Sequence, residues 1–164
     1  MNLFIVVASS FNENSGGTIA LHKLCDLLNK NGNKAYLWPL NKALLTWRYP
    51  IKSLIEIIKY FYRLLKYPNY YKYKTFSSFN TPIAKKRHLK NAIVVYPEII
   101  SGNPLFSKKV VRWFLNKPGV LSGEINYGKN ELYFYYQEAF NDQNINKNLD
   151  NRLQVSHIRD DIYN

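Results

Sequence analysis

Residues 2–39 hold the pattern that most constrains the fold. NLFIVVAS (2–9) is a short, unbroken apolar run rich in β-branched residues. Such a run is the signature of a central strand buried on both faces of a parallel sheet. After the polar stretch SFNENSGG (10–17), helical spacing runs from about Thr18 to Asn31. Ile19, Leu21, Leu24, Leu27 and Leu28 form its apolar face, with Lys23, Asp26 and Lys30 turned outward and Gly32 placed to cap the C-terminus. KAYLWP (34–39) then reads as a second strand, ended by Pro39. Strand, helix and strand in so short a span make a βαβ unit, whose strands run parallel.

The rest of the chain continues the alternation. IKSLIEIIKYFYRLLK (51–66) is strongly amphipathic: Lys52, Glu56, Lys59, Arg63 and Lys66 recur at spacings of four and three, leaving Leu54, Ile55, Ile58, Phe61 and Leu65 on the other side. YPNYYKYKTF (67–76) interleaves Tyr with Lys, and AKKRHLKN (84–91) is a basic cluster. AIVVYPEII (92–100) is a second buried-strand signal, interrupted at Pro97. LFSKKVVRWFLNK (105–117) is predicted helical and stopped by Pro118 and Gly119; ELYFYYQEAF (131–140) and RLQVSHI (152–158) are predicted strands. The pattern predicts an α/β fold: a Rossmann-like, doubly wound, mostly parallel sheet with helices on both faces, in one domain over 1–164.

Composition narrows the partners. Of 164 residues 46% are apolar, enough for a real core, and 23 Lys+Arg against 11 Asp+Glu give a formal charge of +12. Such a chain favours anionic partners: nucleic acid, acidic lipid headgroups or phosphorylated small molecules. Tyr–Lys interleaving can stack bases, but no RNP motif, zinc-finger spacing or helix-turn-helix accompanies it, which argues against nucleic acid. The single Cys25 supports neither a disulfide nor a metal cluster; it reads as a small buried residue or as a reactive thiol. No His/Asp/Glu cluster has ligand spacing, so neither metal nor cofactor is expected. MNLFIVVASS lacks a basic n-region, and no run approaches the ~18 apolar residues of a membrane span. The expected location is the cytosol.

Two loops carry the candidate site. Gly16 and Gly17 between strand and helix either make a tight turn or let a phosphate or sugar approach backbone N–H groups at a helix N-terminus, with the Thr18 hydroxyl beside them. SGGT matches neither GxGxxG nor a P-loop. YPEIISGNP also follows a buried strand: Glu98 is an acid ending an apolar run, and Ser101, Gly102 and Asn103 are turn formers that also suit a polyhydroxyl ligand. His22 suits either packing or a direct role. Arg112 reads as a solvated helix residue or a phosphate contact, and Trp113 as core.

With both loops in hand, the sequence resembles the N-terminal half of a GT-B-type glycosyltransferase, of the kind that builds bacterial cell-surface polysaccharide and lipopolysaccharide. The resemblance runs through SGGTIALHKLCDLLNKNGNKAYLWP, VVYPEIISGNP, VVRWFLNKPG and YGKNELYFYY, and is weakest over 40–85. Its opening theme is paired glycines, a Leu-His, spaced leucines and a Gly-His, here with Asn33 in the His position. It implies that Gly16, Gly17 and Thr18 line a cleft near the diphosphate of a nucleotide-sugar donor. It also implies that Glu98 sits where related enzymes place acceptor-binding or acid/base groups, since a carboxylate can orient a hydroxyl or accept its proton. Such enzymes have a second Rossmann-like domain that grips the donor, and this chain ends about where the first would. The resemblance therefore implies an acceptor-side domain, inactive alone, for transfer to a glycan or lipid-linked acceptor.

The alternative is a non-catalytic basic α/β module. It would bind an anionic membrane surface through 51–66 and YYKYK, or dock on a separate chain supplying the donor domain. Either reading is compatible with a peripheral position on the inner face of the cytoplasmic membrane. A helix packed on a sheet would show the same amphipathic pattern.

Overall fold

A computed structural model describes residues 1–42, 44–45, 50–66 and 72–156. Strand β1 (Leu3–Ala8), helix α1 (Gly16–Lys30) and strand β2 (Lys34–Pro39) form the expected βαβ unit. β1 and β2 pair in parallel from Leu3 opposite Lys34 to Ala8 opposite Pro39. Gly32, at φ +77°, makes the left-handed turn that ends α1, a conformation costly for a residue with a Cβ. Helix α2 (Pro50–Lys66) follows, then β3 (Ile93–Pro97), β4 (Lys109–Phe114) and β5 (Leu132–Tyr135). The sheet order is β2–β1–β3–β4–β5 and every pairing is parallel, a Rossmann-like α/β arrangement.

Alternation along the strands sends side chains to two buried layers. Val6, Ala8, Leu37 and Trp113 pack with Leu21, Leu24 and Cys25 of α1 on one face. Ile5, Val7, Trp38, Val94 and Tyr96 form the other, covered by Ala84, Ala92, Leu105 and flanking loop residues. Cys25 is fully buried; its burial, with Asp26 alongside, pushes the thiol up to about 12.

Several expectations change. The segment 105–117 is not a helix: Lys109–Phe114 is a strand between β3 and β5. Its KVVRWF core is β-branched and aromatic, and these side chains pack better on a pleated sheet than in a helix. The predicted strand at 131–140 is only Leu132–Tyr135, followed by a 3₁₀ turn at Glu138–Phe140. Of the predicted last strand, Arg152 bridges to Tyr135, while 157–158 lie outside the described residues, as do 67–71 of the Tyr–Lys stretch. Asp26 points inward, not outward: buried, it accepts from Lys30 at 2.9 Å and from the amide of Asn80 at 2.9 Å. Burial pushes its carboxyl up, but Lys30, that amide and Lys23 outweigh it and hold it below its ordinary value.

α2 also departs from the pattern of a helix packed on a sheet. Among its described side chains the half-buried ones are Ser53, Glu56 and Arg63, on the polar side, while Ile51, Leu54, Ile58, Phe61, Tyr62 and Leu65 are exposed.

Candidate functional site

In a parallel sheet of this order, the chain leaves β1 toward β2 on one side and β3 toward β4 on the other. The loops after β1 and β3 therefore part at the carboxyl edge and leave a crevice, the usual ligand site of open α/β sheets. Both predicted loops, 9–15 and 98–108, lie there.

Gly16 and Gly17 are not in the loop but in the first turn of α1, after Ser15 as N-cap. Neither has positive φ. A Cβ at Gly16 would meet nothing within 4 Å, and at Gly17 only Leu115 Cδ1 at 3.9 Å. The turn itself does not require glycine at either position. The Thr18 hydroxyl is occupied, 2.9 Å from the carbonyls of both Asn12 and Ser15. One turn on, His22 is fully buried; its Nε2 lies 3.0 Å from the Ser9 carbonyl and its Nδ1 has no partner. The Ser9 contact selects the neutral tautomer with the proton on Nε2, and burial lowers the ring's pKa. His22 is thus a packing residue that holds the loop after β1.

The second loop is organised by a residue the sequence placed on a helix surface. Arg112, in the middle of β4, is fully buried and makes a forked ion pair with Glu131: Nε to Oε2 at 2.9 Å and Nη2 to Oε1 at 2.9 Å. The same guanidinium donates to the carbonyls of Ile100 and Gly102, and lies 4.5 Å from the Tyr127 ring centroid and 5.0 Å from that of Tyr96. Glu131 Oε1 also accepts the Gly128 amide at 2.8 Å. One buried cation therefore ties the loop after β3 to the segment before β5. A lone Arg in an apolar strand needs such a partner, so Arg112 is a clamp rather than a phosphate contact.

Glu98 is buried at the carboxyl edge. Its Oε2 accepts the Leu115 amide at 3.0 Å, and its carbonyl accepts the Tyr127 hydroxyl at 2.8 Å. Burial raises its carboxyl above the ordinary value, with amides of Leu115 and Asn116 working against the shift. Asn103 serves its own loop: Oδ1 accepts from Tyr96 at 3.0 Å and from the Ser107 amide at 3.1 Å. Gly102 (φ +62°) turns the chain between them, and Ser101 is exposed.

The open space lies elsewhere. A cavity of about 660 Å³ separates the polar side of α2 from the sheet edge, floored by Val7, Trp38, Tyr96 and Leu105. Lys42, Lys52, Lys59 and Arg63 line it against one acid, Glu56. A second cavity, of about 500 Å³, lies between Ile57, Tyr60 and Phe61 of α2 and Ser10, Lys72 and Tyr73. None of the predicted residues lines either; the loop after β3 reaches the larger one through Ile100, Pro104, Leu105 and Phe106. Lys42 donates to the Ala84 carbonyl at 2.8 Å, lies 4.7 Å from the Trp38 ring centroid, and has its pKa lowered by burial. Sequence reasoning missed Lys42, Tyr96, Tyr127 and Glu131. For Glu131 a signal existed, an acid opening an aromatic strand opposite the strand that carries a lone Arg. Among the described residues no group of three or more His, Cys, Asp or Glu gathers around a metal-sized space, and no helix is long and apolar enough to cross a membrane.

Fold and site together define an α/β protein with a cation-lined cavity at the carboxyl edge of a parallel sheet. No protein-family model, no curated protein and no solved structure matches the chain.

Proposed function

We propose that this chain is the acceptor-side domain of a GT-B-type glycosyltransferase of surface-polysaccharide synthesis. The complete enzyme would move a sugar from a nucleotide-sugar donor to a hydroxyl of a glycan or lipid-linked acceptor, with the donor gripped by a second domain. The supporting observation is the 660 Å³ cavity beside the crevice between β1 and β3, with four cations and three aromatic rings in its wall. Aromatic faces suit sugar rings, and Lys and Arg suit phosphate. The Arg112 clamp fixes the loop that borders it, and Glu98 is the buried carboxyl at that edge with a raised pKa, as a proton acceptor for a hydroxyl requires. On this reading the protein works in the cytosol or at the inner face of the cytoplasmic membrane, where a lipid-linked acceptor is found.

The test is ligand-observed NMR of the chain with nucleotide sugars and simple glycan acceptors, with Trp38→Ala, Glu98→Gln and Gly17→Val beside it. Acceptor binding that Trp38→Ala abolishes, without nucleotide binding, is the expected result. A folded chain that binds no acceptor overturns the reading.

A further inference from the structure

We infer that α2 is a membrane-surface helix, lying flat on an anionic bilayer with its apolar side in the headgroup–acyl boundary. The inference rests on this helix alone and does not depend on the transferase reading.

A helix that belongs to a protein core turns its apolar stripe inward. α2 does the reverse. Ile51 is 74% exposed, Leu54 58%, Ile58 61%, Phe61 58%, Tyr62 60% and Leu65 86%. At about 100° per residue these six fall on one side of the helix, uninterrupted by any charge. Among the described side chains of α2 the half-buried ones, Ser53, Glu56 and Arg63, are on the opposite side, above the cavity. The domain thus holds α2 mainly by its polar side, with Phe61 at the edge of the 500 Å³ cavity, and presents an apolar strip about 21 Å long from Ile51 to Leu65.

Charge decides what covers the strip. α2 carries Lys52, Lys59, Arg63 and Lys66 against Glu56 alone, in a chain of formal charge +12. Lys52, Lys59 and Lys66 are spaced by seven and so line the border between the strip and the cavity side, Lys59 pairing with Glu56 at 3.1 Å; from there long aliphatic stems let ammonium groups reach lipid phosphates. A second copy would bring the same basic border and the same net charge against itself. A surface that is apolar in depth and anionic at its border complements both features, and a bilayer with acidic headgroups is such a surface.

Co-sedimentation of the chain with phosphatidylglycerol-containing vesicles, against pure phosphatidylcholine vesicles, tests this. Binding to the anionic vesicles is expected, weakening as salt is raised. The Ile58→Glu/Leu65→Glu variant should lose it while keeping its far-UV circular dichroism, since both side chains are exposed. Lys52→Gln/Lys66→Gln should lower the partition coefficient about 30-fold, roughly fivefold per charge. A Phe61→Trp variant should show blue-shifted emission on anionic vesicles only. The inference is overturned by absence of vesicle binding, by undiminished binding of Ile58→Glu/Leu65→Glu, or by a dimer in solution that this variant dissolves. Vesicle binding without glycan-acceptor binding would leave this inference standing and remove the transferase reading; acceptor binding without vesicle binding would do the converse.

Discussion

The buried Arg112–Glu131 pair gives a prediction that can be worked from the structure. Arg112 is 0% exposed and the Glu131 side chain 2%, so neither charge shares its neutralisation with water. Glu131→Gln keeps the side-chain shape but removes the negative charge, leaving a guanidinium in the sheet with carbonyls and rings around it and no counterion. Breaking a buried pair from one side costs about 3–5 kcal/mol. A domain of this size has a stability of about 5–15 kcal/mol, so a large share would vanish. The double variant Arg112→Met/Glu131→Leu removes both charges. It leaves the carbonyls of Ile100 and Gly102 without their donor and the Gly128 amide without its acceptor, at about 1–3 kcal/mol for each group that stays buried and unsatisfied. It should therefore cost well under the sum of Arg112→Met and Glu131→Leu measured singly, a large coupling energy in the double-mutant cycle. Urea denaturation followed by fluorescence, with the fully buried Trp113 as a reporter, measures all of these. A cost below about 1 kcal/mol for Glu131→Gln would refute the clamp, as would additive costs of Arg112→Met and Glu131→Leu in the cycle.

Two other outcomes follow from the first turn of α1 and its core. Gly16→Ala and Gly17→Ala should each raise stability by about 0.5–1 kcal/mol, because an added Cβ meets nothing closer than 3.9 Å; thermal melts check this. A loss of stability at either site would show that the turn itself needs glycine. The lowered pKa of His22 means the unfolded chain binds a proton near pH 6.5 that the folded chain refuses, so stability is full above that pH and falls below it. The slope contributed is up to about 1.4 kcal/mol per pH unit. Denaturant melts of His22→Phe between pH 5 and 7 should show a flatter profile. Among the described residues His88, lowered by burial and by the cations Arg87, Lys85 and Lys42, adds slope of the same sign.

What was legible in the sequence was what local pattern alone decides. NLFIVVAS, the leucine spacing of α1 and KAYLWP each satisfied one period, so the βαβ unit and the strand at 93–97 could be read directly. KVVRWF could not: six residues with apolar groups at several spacings fit a helix or a strand, and only its place between β3 and β5 decides. Misplacing that segment hid Arg112, because a cation on a helix surface needs no partner while one in a central strand does. The amphipathic pattern of 51–66 was plain, but a pattern states that two sides differ and not which side faces the protein. The two loops were placed at the right edge because the parallel strands put them there. Lys42 and the polar side of α2 escaped because residues far apart in the chain assemble that cavity.

Cys25 has a kinetic consequence. With its thiol at about 12, roughly one molecule in ten thousand is a thiolate at pH 8, and the sulfur is fully buried besides. Reagent can reach it only when α1 lifts from β1 and β2. As the chain has a single cysteine, the labelling rate in native buffer, divided by that of the unfolded chain, gives the equilibrium for opening this unit. The helix that borders the crevice thus carries its own clock, and a ligand that holds the helix to the sheet will slow it.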